Sequence, residues 1–347
     1  MTSLENKTTA AFTTTIPVEV LLASDIRPLD LNNIFVNSEN PERLVEDAEV
    51  FGFPRSCCSW IKGMFSVLSK DNFYKNIDIF IAVTEGDCSN ARVLAEIIAI
   101  EFGIETYIFN YPQSRSYKDI CSEIERFRSF FGISEKKMEL SRISLKSLRK
   151  TLRKIDELAY KKSGLISNKN YHEIMVSSSD FNGDPDFFEK ETKDSLYYME
   201  KKKFSPSDYP TLAYCGVPPA IPIHSFFDKL NIPITFNEIQ REFAMIEEHD
   251  SVVDQYMSYT YPYSAVYRFS KFAERIKNRP VDGIIHYVQS FCHRQIEDII
   301  LRKTLKNNGM SLPILTVEGD KPCKKISGNI RTRLEAFSET LLFRRTK

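Results

Sequence analysis

Two apolar segments, each followed by a short loop and a helical pattern, constrain the fold of this chain most strongly. They are IDIFIAV (77–83) and VDGIIHYVQ (281–289), and both are rich in β-branched residues. Such segments are typical of strands that are buried on both faces of a parallel sheet. Since parallel strands need a crossover connection, we expect two sets of alternating strands and helices.

The residues after the first apolar segment predict a parallel strand–helix–strand unit. The helical pattern ends at the Phe-Gly pair 102–103, and ETYIFNYP (105–112) predicts the next strand. The residues expected on the inner face of this helix are Val93, Leu94, Ile97 and Ile98.

The remaining segments predict further elements of both kinds. Strands are expected at 31–36, 232–238 and 312–320, a strand with the loop that follows it at 211–222, and helices at 41–52, 135–164, 263–280 and 327–346. We therefore predict an α/β fold with two Rossmann-like domains, mostly parallel sheets and helical segments that join them. The predicted division is a flexible N-terminal tail (1–15), an N-terminal domain with a helical insertion (16–205) and a C-terminal domain (206–347).

Composition excludes several functional classes. The chain carries 47 Lys and Arg residues against 47 Asp and Glu residues, so its net charge is zero. A nucleic-acid-binding protein would show a basic excess or stripe, and we expect no nucleic-acid partner. No apolar run is long enough to span a bilayer, and the N-terminal sequence lacks the features of a secretory signal. We therefore expect a cytoplasmic protein without a membrane partner.

Three cysteines occupy the same kind of position. Cys88 and Cys292 each lie between the end of a predicted strand and a helix, and Cys58 lies at a third loop-to-helix junction. Parallel sheets bind ligands beyond the carboxyl ends of their strands, and a helix N-terminus stabilises anionic sulfur. Three such thiolates suit an iron–sulfur cluster with an open fourth corner, or a zinc site. A buried thiol that packs as a small hydrophobe is the competing interpretation for each.

The other cysteines and two histidines receive weaker interpretations. Neighbouring side chains diverge, so Cys57 and Cys58 are not expected to bind one metal together. An odd total of seven and a cytoplasmic location argue against a disulfide framework. Cys121 is expected in a core, Cys323 on the surface, Cys215 is a weaker ligand candidate, His286 is expected to be a satisfied polar residue, and His293 could supply a ligand or a proton.

Five blocks of the sequence resemble, in order, those of the 2-hydroxyacyl-CoA dehydratase and benzoyl-CoA reductase family, which includes the 2-hydroxyglutaryl-CoA dehydratase D-component. The resemblance covers about Thr13 to Phe337, and its most specific part is the acidic strand end followed by RTRLEAF (331–337). The blocks are TTTIPVEVLLASDIRPLDLNNIF, CSWIKGMF, EGDCSNARVLAEII, VDGIIHYVQSFCHRQIEDIILRKTL and LPILTVEGDKPCKKISGNIRTRLEAF.

The resemblance implies a cofactor and a set of partners. Family members bind a [4Fe-4S] cluster through three cysteines, and the matching positions here are Cys58, Cys88 and Cys292. The implied partners are an ATP-hydrolysing iron–sulfur activator that donates low-potential electrons, an acyl-CoA-type substrate, and a second subunit in a homodimer or heterodimer. The implied activity is that of an anaerobic iron–sulfur dehydratase (a lyase), or of an ATP-dependent reductase component (an oxidoreductase).

Several alternatives stay open from the sequence. One is a reductase of small molecules with a double-cubane [8Fe-9S] cluster, and another is a non-catalytic protein for electron transfer or cofactor assembly. No catalytic residue is assigned. Glu19 could relay protons or form a pair, and Arg331 and Arg333 could bind a CoA phosphate or pair with Glu318 or Glu335.

Overall fold

The structure is a computed structural model that describes residues 7–204 and 208–345. Within these residues the chain forms two separate sheets of four strands each. The strands are β1 (Thr9–Phe12), β2 (Arg27–Asp30), β3 (Ile79–Val83), β4 (Glu105–Phe109), β5 (Leu212–Gly216), β6 (Ile234–Asn237), β7 (Gly283–Gln289) and β8 (Ile314–Gly319).

Both sheets are parallel throughout and have the same topology. Their strand orders are β2-β1-β3-β4 and β6-β5-β7-β8. In each sheet the second strand in chain order lies on one side of the first strand. The third strand lies on the other side of the first, and the fourth lies beyond the third. The crevice at this reversal, between β1 and β3 or between β5 and β7, is where doubly wound sheets bind ligands. The predicted α/β class with two Rossmann-like domains is confirmed.

Helices connect and cover the strands. Those that end before β5 are α1 (Val18–Ala23), α2 (Leu31–Asn37), α3 (Pro41–Phe51), α4 (Ser59–Ser69), α5 (Asn90–Phe102), α6 (Tyr117–Phe130), α7 (Glu135–Ser144), α8 (Lys146–Lys161), α9 (Asn168–Val176) and α10 (Pro185–Lys201). Those after β5 are α11 (Ile223–Lys229), α12 (Glu238–Ala244), α13 (Val252–Ser258), α14 (Ala265–Lys277), α15 (Glu297–Asn307) and α16 (Gly328–Arg345). None of these helices is long and apolar enough to cross a membrane.

The chain divides into two compact units that alternate along the sequence. Unit 1 contains the described residues 7–150, 177–191 and 245–264. Unit 2 contains 151–176, 192–204, 208–244 and 265–345. The division predicted from the sequence, with a single boundary after residue 205, treats the domains as consecutive. Local periodicity shows where helices occur but not which sheet each helix packs against, so it does not reveal this alternation.

Two predictions for the N-terminal region are wrong. Residues 9–12, expected within a flexible tail, form β1, which pairs with β2 on one side and β3 on the other; residues 1–6 lie outside the described residues. The segment 31–36, expected as a strand, is helix α2. Its N-cap Asp30 accepts a hydrogen bond from the Asn32 backbone N–H at 2.9 Å, and this cap favours a helical start over a strand.

The apolar core of unit 1 explains the elements that surround its sheet. Phe80 and Ala82 of β3 pack in one cluster with buried residues of α2, α3, α4 and α5. On α5, Leu94 and Ile98 are buried as predicted, whereas Val93 is 55% exposed. Burial therefore requires apolar side chains only on the face of α5 that packs against the sheet.

In unit 2 the side chains alternate between two cores, one on each face of the sheet. Tyr214 and Tyr287 belong to a cluster that includes residues of α11 and α16. Ala213 and Ile284, which lie on the opposite face of the same sheet, belong to a cluster with residues of α14 and α15. All seven residues of β7 are buried, which confirms the prediction of a strand covered on both faces.

Candidate functional site

Cys88 lies in the loop that connects the carboxyl end of β3 to α5. It is half-buried, and its carbonyl accepts a hydrogen bond from the Ala91 backbone N–H at 3.0 Å. The start of this loop is fixed by β4, because Asn110 Oδ1 accepts hydrogen bonds from Thr84 Oγ1 (2.7 Å) and from the Glu85 backbone N–H (3.2 Å). Cys88 is thus placed beside the crevice of unit 1, as the sequence predicts.

Gly86 gives the Cys88 loop its course. Its φ of +91° lies in a region that residues with side chains rarely adopt. A Cβ at this position would also come within 2.8 Å of both the Pro262 carbonyl oxygen and Tyr111 Cβ. The loop therefore needs glycine for its conformation and for the close approach of neighbouring atoms.

Cys58 is the N-cap residue of α4 and is only 7% exposed. It belongs to the same apolar cluster that Cys57 and Cys88 pack against. The loop before it is anchored by Lys62, whose Nζ donates to Glu49 Oε1 at 2.8 Å and to the Arg55 carbonyl at 3.2 Å. Two of the three predicted ligands thus contact one core in unit 1.

Cys57, the neighbour of Cys58, is half-buried. Burial raises the pKa of its thiol, and the nearby Lys62 charge only partly opposes this effect. A raised pKa disfavours the thiolate, which is the form that binds metals. The choice of Cys58 over Cys57 remains a prediction.

Cys292 is half-buried and lies in the loop after β7, at the crevice of unit 2. It caps a 3₁₀ turn (His293–Ile296) that leads directly into α15. Its backbone N–H donates to the Gln289 carbonyl at 3.2 Å, and its own carbonyl accepts from the Gln295 N–H at 3.1 Å. Cys292 therefore follows the third strand of its sheet, as Cys88 does in unit 1.

A buried ion network lies next to the Cys292 loop, and sequence reasoning missed it. Arg268 on α14 is fully buried and donates to both oxygens of Glu238 at 2.6 Å and to the Gly216 carbonyl at 2.6 Å. It also donates to Glu297 at 3.1 Å, and Glu297 in turn accepts from Arg294 at 2.9 Å. From the sequence, an Arg on an amphipathic helix is expected to be exposed. The sequence signal for this network is Glu238, an acidic residue directly after β6.

The other cysteines are not placed like the three candidates. Cys215 is fully buried in β5, and burial, with Glu238 contributing, raises the pKa of its thiol well above its ordinary value. It is therefore a neutral core thiol. Cys121 is half-buried on α6, and Cys323, expected on the surface, instead is half-buried and packs against a core of unit 2.

The two histidines that flank Cys292 differ in their surroundings. His286 is 1% exposed, and its Nδ1 lies 3.0 Å from Asp298 Oδ1, which confirms that it is a satisfied polar residue. This hydrogen bond is the largest contribution that holds the pKa of Asp298 below its usual range. His293 is exposed, yet desolvation lowers its pKa and the Arg294 charge adds to that shift. The His293 imidazole is accordingly neutral at neutral pH.

Glu19 forms a buried pair. It is fully buried, and its Oε1 accepts from Arg149 at 2.6 Å and from the Gln255 amide at 2.7 Å. Burial acts to raise the pKa of Glu19, but Arg149 and Gln255 outweigh that effect and lower it. Glu19 is therefore a carboxylate in a structural ion pair, as one of its two sequence interpretations proposed.

The two arginines of the C-terminal block lie on the exposed side of α16. Arg333 donates to the Thr316 carbonyl at 2.6 Å, so it fastens the start of α16 to β8. This contact is a backbone contact and differs from the predicted pairing with Glu318 or Glu335. Arg331 is exposed in the same turn, and its backbone N–H donates to the Ser327 carbonyl at 2.9 Å.

The three candidate ligands are distributed over both units. Cys58 and Cys88 belong to unit 1, and Cys292 belongs to unit 2. Within either unit, no three His, Cys, Asp or Glu side chains of the described residues are arranged to hold a metal ion. The donor chemistry nevertheless fits an iron–sulfur cluster, because each cysteine is a thiol at, or one residue before, the N-cap of a helical turn, the end of a helix that favours anionic sulfur.

The fold and these loops define a class of α/β protein that has two doubly wound parallel sheets and a cysteine beside the crevice of each. Residues 13–341 match the family described as 2-hydroxyglutaryl-CoA dehydratase, D-component. The chain belongs to this family. No curated protein matches it.

Proposed function

We propose that this protein is the iron–sulfur component of an enzyme of the 2-hydroxyacyl-CoA dehydratase and benzoyl-CoA reductase type. In this proposal it accepts low-potential electrons from an ATP-hydrolysing activator and delivers them to an acyl-CoA-type substrate. The match of residues 13–341 to a dehydratase component is the observation that carries the proposal. A homodimer or a heterodimer with a related subunit is the proposed assembly.

In the proposed site Cys58, Cys88 and Cys292 ligate one [4Fe-4S] cluster. The cluster would supply an electron at low potential and an iron with an open coordination position. The half-buried state of Cys88 and Cys292 suits this role, because partial burial shields a cluster from solvent while leaving one side accessible. The near-complete burial of Cys58 suits the most enclosed corner.

The protein's own residues have positioning roles in this site. Lys62 holds the loop before Cys58 through the Arg55 carbonyl, and its charge is balanced by Glu49. Asn110 and Gly86 fix the course of the Cys88 loop. These contacts limit how far the thiols can move, which is what a cluster of fixed dimensions requires.

Metal analysis and spectroscopy test the proposal directly. Protein prepared without oxygen should contain about four irons per chain, as expected for one cubane. Addition of an activator of this enzyme class with ATP should produce the paramagnetic resonance signal of a reduced cluster, and ATP omission should abolish it. Protein that stays colourless after anoxic reconstitution with iron and sulfide would contradict the proposal.

The same measurement separates the alternatives. An iron content of about eight, without binding of an acyl-CoA, would replace the proposal with a double-cubane reductase. Zinc at one ion per chain would replace it with a zinc thiolate site. A cluster that the activator reduces but that binds no added ligand would indicate a protein of electron transfer or cofactor assembly.

A further inference from the structure

The loop that carries Cys292 is held by one carboxylate from the neighbouring strand. Oε1 of Glu318, on β8, accepts a hydrogen bond from Ser290 Oγ at 2.7 Å and from Gln295 Nε2 at 3.0 Å. Ser290 precedes Cys292 and Gln295 follows it. A single oxygen atom therefore joins the two ends of the turn that contains the cysteine.

The main chain reinforces this arrangement at its start. The Ser290 backbone N–H donates to the Gly319 carbonyl at 2.8 Å, so the loop leaves β7 still attached to β8. A Cβ on Gly319 would come within 2.1 Å of the Tyr287 hydroxyl, so only glycine allows β8 to lie this close. The backbone of Glu318 is thus fixed by the sheet, and its side chain reaches the loop from an exposed position.

A second carboxylate fixes the helical side of the loop. Glu297 accepts from Arg294 with one oxygen (2.9 Å) and from the buried Arg268 with the other (3.1 Å). The turn after Cys292 is therefore connected to α14 through two ion pairs. Between these two anchors lies Phe291, which is 50% exposed and has a φ of +62°, an uncommon value for an aromatic residue.

We infer that Glu318 is a positioning residue for Cys292, and that it sets the orientation of the thiol through its hydrogen bonds to Ser290 and Gln295. The position of the Cys292 Sγ depends on the backbone and on one rotatable bond. A displaced loop therefore displaces the Sγ with it. This role rests on the proposed function only where it concerns the cluster. The effect on the thiol itself exists without metal.

Glu318→Ala and Glu318→Gln form a matched pair for the test. Alanine removes the acceptor of both hydrogen bonds. Glutamine keeps an oxygen at Oε1 and changes only the charge and the second oxygen, so it should restore the loop. Glu339→Ala, at an exposed position on α16, controls for loss of a surface carboxylate.

The first measurement is the rate of alkylation of Cys292 by iodoacetamide in the metal-free protein, with Cys88 in the same chain as the reference. Because Glu318→Ala frees the loop that holds the half-buried thiol, the ratio of the Cys292 rate to the Cys88 rate should increase. Glu318→Gln and Glu339→Ala should keep the wild-type ratio. An unchanged ratio in Glu318→Ala, or an equal change in Glu318→Gln, would overturn the inference.

The second measurement is iron retention against a chelator after anoxic reconstitution. Loss of a residue that supports a metal ligand typically costs 10–100-fold in metal affinity, so Glu318→Ala should lose its iron to the chelator more readily than wild-type protein. Wild-type protein that takes up no iron would refute the proposed function and leave the alkylation result valid. If Glu318→Ala does not fold, Gln295→Ala removes one of the two donors from a half-buried position. Its alkylation ratio should change in the same direction, and a wild-type ratio would overturn the inference.

Discussion

In unit 1 the third strand of the sheet, β3, leads to Cys88, and in unit 2 the third strand, β7, leads to Cys292. The two sheets have the same strand order, so these loops are equivalent by topology. Their buried charges differ. Both units contain buried ion pairs, Glu19 with Arg149 in unit 1 and those around Arg268 in unit 2. Unit 1 also contains two neighbouring buried carboxyl groups, Asp30 and Asp180, whereas unit 2 contains a stacked pair of histidines.

This difference shows that the strand order fixes which loops lie beside the crevice, while the buried charged and polar groups of the two units can differ. A cysteine beside the crevice needs only a strand end and a helix start, which both sheets provide. The buried groups instead determine how each unit responds to mutation and to pH. The predictions below address that contrast, from the largest expected effect to the smallest.

Replacement of Arg268 by Met should destabilise unit 2 strongly. It leaves the buried carboxylate of Glu238 without this cation and leaves Glu297 with Arg294 alone, and breaking a buried pair in this way typically costs about 3–5 kcal/mol. Urea unfolding followed by alkylation of the fully buried Cys215 reports on unit 2. The control is Lys271→Ala on the same helix, where an exposed pair with Glu274 should contribute less than about 1 kcal/mol. Equal effects of the two substitutions would contradict the importance of the buried network.

In unit 1 the carboxyl pair should make stability decrease as pH rises. Burial raises the pKa of Asp30 to about 6 and, together with the Asp30 charge, that of Asp180 to about 7, both above the ordinary 3.8. The folded unit therefore binds these protons more tightly than the unfolded chain. This contribution is complete below about pH 4 and is lost between about pH 4 and pH 7, and for the two groups together the loss is several kcal/mol.

Fluorescence of Trp60, the single tryptophan of the chain, reports on unfolding of unit 1 because it lies in α4 against Phe35. Asp30→Asn keeps an acceptor for the Asn32 N–H and removes one of the two charges. It should raise stability at pH 8 and flatten the pH dependence. Asp47→Asn, at a half-exposed position on α3 where the carboxylate pairs with Arg43, should leave the dependence unchanged. A steep dependence in Asp30→Asn would show that other groups cause it.

Unit 2 should respond to pH in the opposite direction. The rings of His172 and His224 stack with centroids 4.2 Å apart, and burial lowers the pKa of both, to about 4 for His224. The unfolded chain therefore binds these protons more tightly, and stability should be lost as pH falls from about 6.5 towards 4. For His224 the loss at pH 5 should be about 2 kcal/mol. Cys215 alkylation in urea at pH 7 and pH 5 measures it, after correction for the intrinsic thiol rate at each pH, and a constant midpoint would contradict it.

Sequence reasoning found the parts of the fold that depend on local patterns. The β-branched runs of β3 and β7 predicted buried parallel strands, and the residues after them predicted Cys88 and Cys292 beside the crevices. It missed β1, because Thr9–Phe12 is short and follows a polar stretch. It also missed the alternation of the two units, since that depends on contacts between segments far apart in the chain.

The candidate site was only partly accessible for the same reason. The thiols could be named from their position at helix starts and from the family resemblance. The groups that hold them could not, because Arg268 and Glu318 act across strands and helices that are distant in sequence. A buried Arg is indistinguishable from an exposed one until its partners Glu238 and Glu297 are placed around it.

The central claim of the proposed function is that Cys58, Cys88 and Cys292 ligate one cluster. Iron analysis of anoxically reconstituted variants tests it most directly, with each of these cysteines and, as controls, Cys57 and Cys121 replaced singly by serine. The claim predicts loss of most of the iron in the three ligand variants and about four irons per chain in both controls. Full iron content in the Cys292 variant, or its loss in the Cys57 variant with retention in the Cys58 variant, would contradict it.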